Sequence, residues 1–197
     1  NEDGTLVDSY SGPGIFTQPN WYRNLMESTN RLKSTRLLTN AFAELNFLED
    51  FTFKSSISLD ILGSNRRMFQ PSTYGVAGNA PLNRAQAEYA TEFYYSWLTE
   101  NTLIYSKNIG DAHNIDALVG YSAQKFTQEN TILTGIDFPD DDVQWIDAAA
   151  IKNGSSSIGE WSLLSFFSRV NYNYKGKYLL SASIRRDGSS RFGLDNQ

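Results

Sequence analysis

The residues able to do chemistry are few and far apart. His113 is the only histidine, and the chain has no cysteine. One imidazole cannot serve a nucleophile and a metal site together. Without thiols there is no disulfide framework, no thiolate nucleophile and no Cys-based metal site. His113 therefore reads as a structural or solvated residue at a turn-to-strand boundary. Asp140, Asp141 and Asp142 offer carboxylates to a calcium ion, but the stretch lacks the glycine and bidentate glutamate of a calcium loop. They are expected to cap a short helix, with Val143, Ile146 and Ala150 on one face. Gly154 to Gly159 is glycine-rich but lacks the Lys-Ser/Thr of a phosphate loop, so it reads as a flexible hinge.

Glu92 and Glu100 share a face. They stand about 26 Å apart along a strand, too far for a glycoside-hydrolysing pair, which needs roughly 5–9.5 Å. Asp187 with Arg185, Arg186 and Arg191 reads as an ion-pair and turn network rather than a substrate contact. Trp145 and Tyr74 are loop aromatics and the candidates for stacking on a sugar ring. No catalytic residue, metal site or cofactor is expected, and the sequence argues against an enzyme.

The elements that must position these residues are strands. Hydrophobic residues make up 40% of the 197 and aromatics 14%, with 11 Tyr and 12 Phe. That balance suits amphipathic strands better than helices. The net charge of -5 gives nothing for a phosphate backbone to bind, so no nucleic-acid partner is expected. No apolar run is long enough for a transmembrane helix, which does not exclude a barrel. The start, Asn1-Glu2-Asp3-Gly4, has neither the basic nor the apolar part of a signal peptide.

Trp161 to Gly193 sets the pattern. Leu164, Phe166, Val170, Tyr172 and Tyr174 share one phase; Ser165, Arg169, Asn171 and Asn173 share the other. After a turn at Lys175-Gly176, Tyr178, Leu180, Ala182 and Ile184 alternate with Leu179, Ser181, Ser183 and Arg185. Alternation of this kind makes two strands of a hairpin, each with one apolar face. Four more strands read the same way, at Arg36 to Leu45, Phe51 to Ile61, Glu88 to Tyr105 and His113 to Ala123. Residues 1–35 read as loop, although Trp21 to Thr29 has the makings of a short helix.

Three features go together. Connections alternate between short (46–50, 106–112, 175–176) and long (63–87, 124–159), as in barrels with short periplasmic turns and long extracellular loops. The apolar phase of the six strands carries no charge, as a lipid-facing surface requires. Aromatic residues stand beside each short turn: Phe47, Phe51 and Phe53, then Tyr105, then Tyr172, Tyr174 and Tyr178. Tyr95 and Tyr105 lie on one face, roughly 25 Å apart along a tilted barrel axis, which matches the spacing of two interfacial aromatic girdles.

The closing hairpin, FFSRVNYNYKGKYLLSASIRRDGSSRFG, resembles the SusC/RagA family of TonB-dependent outer-membrane transporters. The resemblance rests on Arg169-Val170-Asn171-Tyr172, on Lys177-Tyr178 and on Arg186, Asp187, Gly188, Ser189, Ser190, Arg191, Phe192 and Gly193. A second match runs through Asn101 to Tyr105, His113-Asn114-Ile115 and Leu118 to Tyr121. Asp137 to Asp140 with Ala148 to Ala150 is similar to a long extracellular loop of the family. Residues 36–197 are covered; 1–35 match less clearly.

The resemblance implies an all-β fold. It is an antiparallel up-and-down meander of about six strands from a transmembrane β-barrel of about 22 strands, with plug and N-terminal domains outside this chain. It also implies import of glycans or peptides across a bacterial outer membrane. The implied partners are a SusD-like surface lipoprotein, TonB and outer-membrane lipid. The signature from Arg186 to Gly193 is expected to be structural and to leave the membrane at the outer surface. Arg169, Asn171 and Arg185 are expected to face the lumen. A soluble β-sandwich that binds carbohydrate is the competing reading.

Overall fold

A computed structural model describes residue 7 and residues 9–12, 15–75 and 83–192. The elements are β1 (Ser9–Gly12), β2 (Ile15–Pro19), α1 (Trp21–Glu27), β3 (Thr29–Phe47), β4 (Phe51–Gln70), β5 (Gln86–Ile109) and β6 (His113–Ile136). A 3-10 turn (Ile146–Ala148), β7 (Ile151–Tyr174) and β8 (Tyr178–Ser189) complete the chain. Strands β3 to β8 form one six-stranded sheet in sequence order, an up-and-down antiparallel meander; β1 and β2 pair separately. No helix among the described residues is long and apolar enough to cross a membrane, which says nothing about crossing by strands.

Several expectations need correction. The stretch read as loop before residue 35 contains α1, and β3 begins at Thr29 rather than Arg36. Asn20 caps α1: its carboxamide oxygen accepts from the Arg23 N–H at 3.2 Å. The connections read as 63–87 and 124–159 shrink to 71–85 and 137–150, because β4, β6 and β7 run on past their alternating segments. Gly154 to Gly159, expected to be a hinge, is strand within β7. Gly78 and Pro81 of the long link lie outside the described residues. The ladder supplies the physical reason. Backbone hydrogen bonds hold a strand together whether or not its side chains alternate, and polar residues on both faces suit a strand with water on each side.

The chain divides into two compact units. One comprises Asn1–Thr35, Gly63–Phe93 and Glu129–Ile158; the other comprises Arg36–Leu62, Tyr94–Gln128 and Gly159–Gln197.

The first unit holds a small apolar core of Phe69, Ala85 and Ala87, with Phe138 and Ile146 packed against it. Phe69 and Phe138 meet edge to face, with ring centroids 5.4 Å apart, a favoured aromatic geometry. Gly135 is required here: a Cβ would stand 2.8 Å from the Ala149 Cβ. Asn24 of α1 is buried and forms a reciprocal pair with Gly75, donating to its carbonyl at 2.9 Å and accepting from its N–H at 3.0 Å.

The second unit contains the short turns. Lys175 and Gly176 adopt φ of 53° and 66°, and the Lys177 N–H donates to the Tyr174 carbonyl at 3.0 Å. Tyr174 partners Tyr178, so the loop is three residues rather than two. Adjacent turns are tied together by backbone bonds from Ser106 N–H to Asp50 O at 2.9 Å and from Lys175 N–H to Ala112 O at 2.7 Å.

Candidate functional site

In the second unit the register of β7 and β8 puts Tyr172 opposite Leu180, Val170 opposite Ala182 and Phe166 opposite Arg186. The apolar phases of the two strands therefore share one face. Leu164, Phe166, Val170, Leu180 and Ile184 on that face are 43–71% exposed. Burying a side chain of this kind is worth roughly 1.5–3 kcal/mol relative to water, so such a face requires an apolar neighbour. Polar residues of the same phase are satisfied within the sheet: the Ser55 hydroxyl donates to Asn101 at 2.8 Å and the Thr99 hydroxyl to the Ser56 carbonyl at 3.0 Å. At the end away from the turns the phase carries charge. There Lys125 pairs with Glu160 at 3.0 Å, and Arg186 stands beside Phe166.

The opposite phase is bound by polar groups. Arg36 forms a two-pronged pair with Asp60 at 2.8 and 2.9 Å, as guanidinium and carboxylate geometry favours. Asn40 donates to Ser58 at 2.7 Å and Ser181 to Asn171 at 2.8 Å. Arg169 pairs opposite Ser183 in the same register, so Arg169, Asn171 and Arg185 share this phase. It is not wholly polar, since Leu38, Phe42 and Leu179 are exposed on it. The Lys54 ammonium lies 4.9 Å from the Phe42 ring centre.

Aromatic rings line the turn end in two runs. Phe47 stacks on Phe51 at 5.7 Å, and Phe51 meets Tyr105 at 4.9 Å. His113 lies 5.9 Å from Tyr172 and 5.0 Å from Tyr174, and Tyr174 lies 6.4 Å from Tyr178. His113 Nδ1 also shares a hydrogen bond with the Tyr172 hydroxyl at 2.6 Å. The sole histidine is thus a ring of this row, a role its sequence position did not announce. On the turn side of Tyr105, Lys107 bonds to Asp50, which holds the amine above the usual lysine range.

The signature at the end of β8 is a corner network. Arg186, Asp187, Gly188 and Ser189 belong to the strand. Arg185 pairs with Asp187 at 2.8 Å and donates to Ser165 at 3.1 Å. The Ser190 hydroxyl accepts from the Ser162 N–H at 2.8 Å, and the Ser190 N–H donates to the Ser162 carbonyl at 3.0 Å. The Phe192 N–H donates to the Ser189 carbonyl at 3.1 Å. Arg191 lies over the Trp161 ring at 5.1 Å. Gly193 lies outside the described residues.

In the first unit the loop candidates separate. Trp145 is 65% exposed and carries the Arg67 guanidinium over its ring at 4.5 Å. Tyr74 is half-buried in the 71–75 turn, its N–H bonded to the Pro71 carbonyl. The three aspartates do not cap a helix. Asp140 accepts from the N–H groups of Asp142 and Val143 at 2.9 and 3.0 Å. The 3-10 turn that follows has Trp145 at its start, with no side-chain cap. Asp141 instead reaches Ser72, accepting from its N–H at 2.7 Å and its hydroxyl at 2.8 Å. Short polar side chains find backbone N–H groups wherever a turn presents them. Among the described residues no cluster of His, Asp and Glu is suited to a metal ion.

No protein-family model matches the chain. Curated relatives do. TonB-dependent receptor P3 of Formosa agariphila is 32% identical over 200 residues, covering 100% of this chain and 19% of the relative. TonB-dependent receptor P26 of the same organism is 30% identical, covering 100% of this chain and 20% of the relative. TonB-dependent receptor SusC of Bacteroides thetaiotaomicron is 26% identical over 92% of the chain and 19% of its own length. The chain spans about a fifth of the length of the curated relatives it matches. Among solved structures, the RagAB peptide transporter superposes with a TM-score of 0.85 at 22% identity, covering 99% of this chain and 22% of that one. At that identity the superposition shows the fold, an antiparallel β meander. The curated relatives are named as receptors, and the sequence likeness to them covers 92–100% of the chain. By that likeness the chain is a relative of the TonB-dependent receptors, SusC among them.

Proposed function

We propose that the chain is part of the wall of an outer-membrane β-barrel that imports oligomeric nutrients, with energy supplied through TonB. The observation that carries this reading is the two-sided chemistry of β7 and β8. One phase exposes Leu164, Phe166, Val170, Leu180 and Ile184; the other holds Arg185, Asp187, Ser165, Asn171 and Ser181 in hydrogen bonds. Lipid suits the first and a watery lumen the second. The rings beside the turns, from Phe47 to Tyr178, take the interfacial depth that amphipathic aromatics favour. The turn end is then the periplasmic side. On β7 the apolar stretch lies between Glu160 and Tyr172, comparable to the ~9–11 residues of a spanning strand.

A soluble β-sandwich needs its apolar face covered by a second sheet. The described residues hold one six-stranded sheet and one two-stranded sheet, which favours the membrane reading. The cargo is read as a glycan or a peptide, taken up with a SusD-like surface lipoprotein. Signature residues Arg186 to Gly193 are read as structural, since those described bond to β7 or within their own corner. Trp145 and Tyr74 remain the cargo candidates. Fractionation tests the reading. The full-length parent should partition with outer membranes and migrate faster on gels unless boiled. Recovery from the soluble cytoplasm would overturn it.

A further inference from the structure

The turn between β7 and β8 is charged where it meets the apolar face of the second unit. Its three residues are Lys175, Gly176 and Lys177, and both lysines are exposed. The Lys175 ammonium lies 5.3 Å from the centre of the Tyr174 ring, and the Lys177 ammonium 5.5 Å from that of Tyr178. Both distances are within the reach of a cation–π contact. Tyr174 and Tyr178 pair across the hairpin and belong to the phase of Leu180 and Ile184. The rings therefore hold both ammonium groups beside the apolar phase. The next residues of that phase, Tyr172 and Leu180, also stand opposite each other, and Leu180 is exposed.

A lysine near the other turns of this unit is neutralised locally: Lys107 bonds to Asp50. Lys175 and Lys177 have no ion pair among the described residues. Asp111 lines one polar cavity of about 550 Å³ with Lys175, Asn114 and Asn173, but the two charges do not pair. Like charges two positions apart repel, and a bound anion removes that repulsion. An ammonium is a compact point charge suited to phosphate oxygens. A free anion would engage the lysines and leave Leu180 in water. An anion that carries acyl chains satisfies both, with its charge on the lysines and its chains along Leu180 and Ile184. Between them, Tyr174 and Tyr178 take the boundary depth that amphipathic rings favour. A zwitterionic headgroup would bring a third ammonium beside the two lysines, so charge complementarity favours a lipid of net negative charge.

We propose that Lys175 and Lys177 hold the phosphate of an anionic phospholipid of the periplasmic leaflet against the Tyr174–Tyr178 pair. The assignment rests on the membrane reading above and adds a ligand that is not cargo. The two rings position the ammonium groups in advance, and the tight turn fixes their spacing.

The test is native mass spectrometry of the full-length parent in detergent, titrated with phosphatidylglycerol and with phosphatidylethanolamine of the same acyl chains. The wild type should prefer phosphatidylglycerol. Lys175→Gln and Lys177→Gln should each weaken that binding roughly five-fold, and the double variant roughly 25-fold. Lys177→Arg, which keeps the charge, should retain it. Arg169→Gln, on the polar phase of β7, should leave it unchanged. Equal binding of the two lipids, or full affinity in the double variant, overturns the site. So does an equal loss in Arg169→Gln, which would mark net charge alone. Equally strong binding of inorganic phosphate would mark a free-anion site and also overturns it. A double variant that keeps its phosphatidylglycerol but loses a co-purifying protein reassigns the turn to that protein. Fractionation of the same preparations separates the two readings. If the wild type is soluble, the membrane reading fails and the lipid site with it. If it is in the outer membrane, a negative lipid result removes the lipid site alone.

Discussion

Gly120 of β6 leaves the space that the Phe167 ring of β7 occupies: a Cβ on Gly120 would lie 2.3 Å from two ring carbons. The Arg185 guanidinium lies 5.7 Å from the same ring centre, so the ring cannot turn aside without disturbing the Arg185–Asp187 pair. Glycine facing an aromatic on a neighbouring strand is a known way of fixing sheet register. Gly120→Val should therefore destabilise the parent by about 1–3 kcal/mol, the usual cost of overpacking. Urea unfolding in lipid vesicles measures it. Adding Phe167→Ala should recover part of the loss, and no recovery would show that the ring is not the obstacle.

Phe166 and Arg169 stand on opposite phases of β7. Phe166→Arg should cost about 2–4 kcal/mol if its face meets hydrocarbon. Arg169→Gln, on the polar phase, should stay within about 0.5 kcal/mol. The contrast is read from the same vesicle unfolding curves. Equal costs would remove the assignment of faces.

The His113–Tyr172 bond gives a finer test of the aromatic row. Tyr172→Phe keeps the ring and loses the hydroxyl, so it should cost about 0.5–1.5 kcal/mol. Tyr172→Ala should cost more, because the ring contacts with His113 go as well. A larger loss for Phe than for Ala would contradict the stacking role.

The β8 corner is predicted to matter for assembly and not for cargo. Asp187→Asn weakens the pair with Arg185 and should lower the yield of heat-modifiable barrel. The cargo dissociation constant of the barrel that does assemble should be unchanged, as calorimetry would show. A shift in that constant at normal yield would make Asp187 a cargo residue.

Asp141 holds the 71–75 turn through two bonds to Ser72. Asp141→Ala should speed amide hydrogen exchange at Ser72 by roughly ten-fold, the loss of about 1.4 kcal/mol of local protection. Exchange at Tyr105, in the other unit, is the control and should not change.

How much of this was legible in the sequence varies by segment, and for identifiable reasons. The two strands of the β7–β8 hairpin were readable from Leu164 to Ile184, because one face is apolar and the other mostly polar, but the turn between them is three residues where two were expected. The same strand was invisible from Ile151 to Glu160, where Asn153, Gly154, Ser155, Ser156 and Ser157 are small or polar and no period of two emerges. Backbone bonding continues there without a side-chain signal. Asp141 was read as part of a helix cap and not as a partner of Ser72, since 69 positions separate them. The Arg67–Trp145 stack was missed for the same reason. Trp145 was singled out as an exposed aromatic, while Arg67 stood in a stretch read as connection. His113 was placed at the correct boundary, but nothing in the sequence pointed to the Tyr172 hydroxyl.

The extension of β6 to Ile136 and of β7 from Ile151 leaves 14 residues between them. Ordering a backbone costs about 1–2 kcal/mol per residue in lost freedom. For the extended stretches that loss is incurred when the protein folds, not when something binds. A molecule that meets these strand ends finds a surface already shaped, and its association need not be weakened by ordering them. Selectivity at this end can then come from rigid geometry, with adaptability confined to the short span from Asp137 to Ala150.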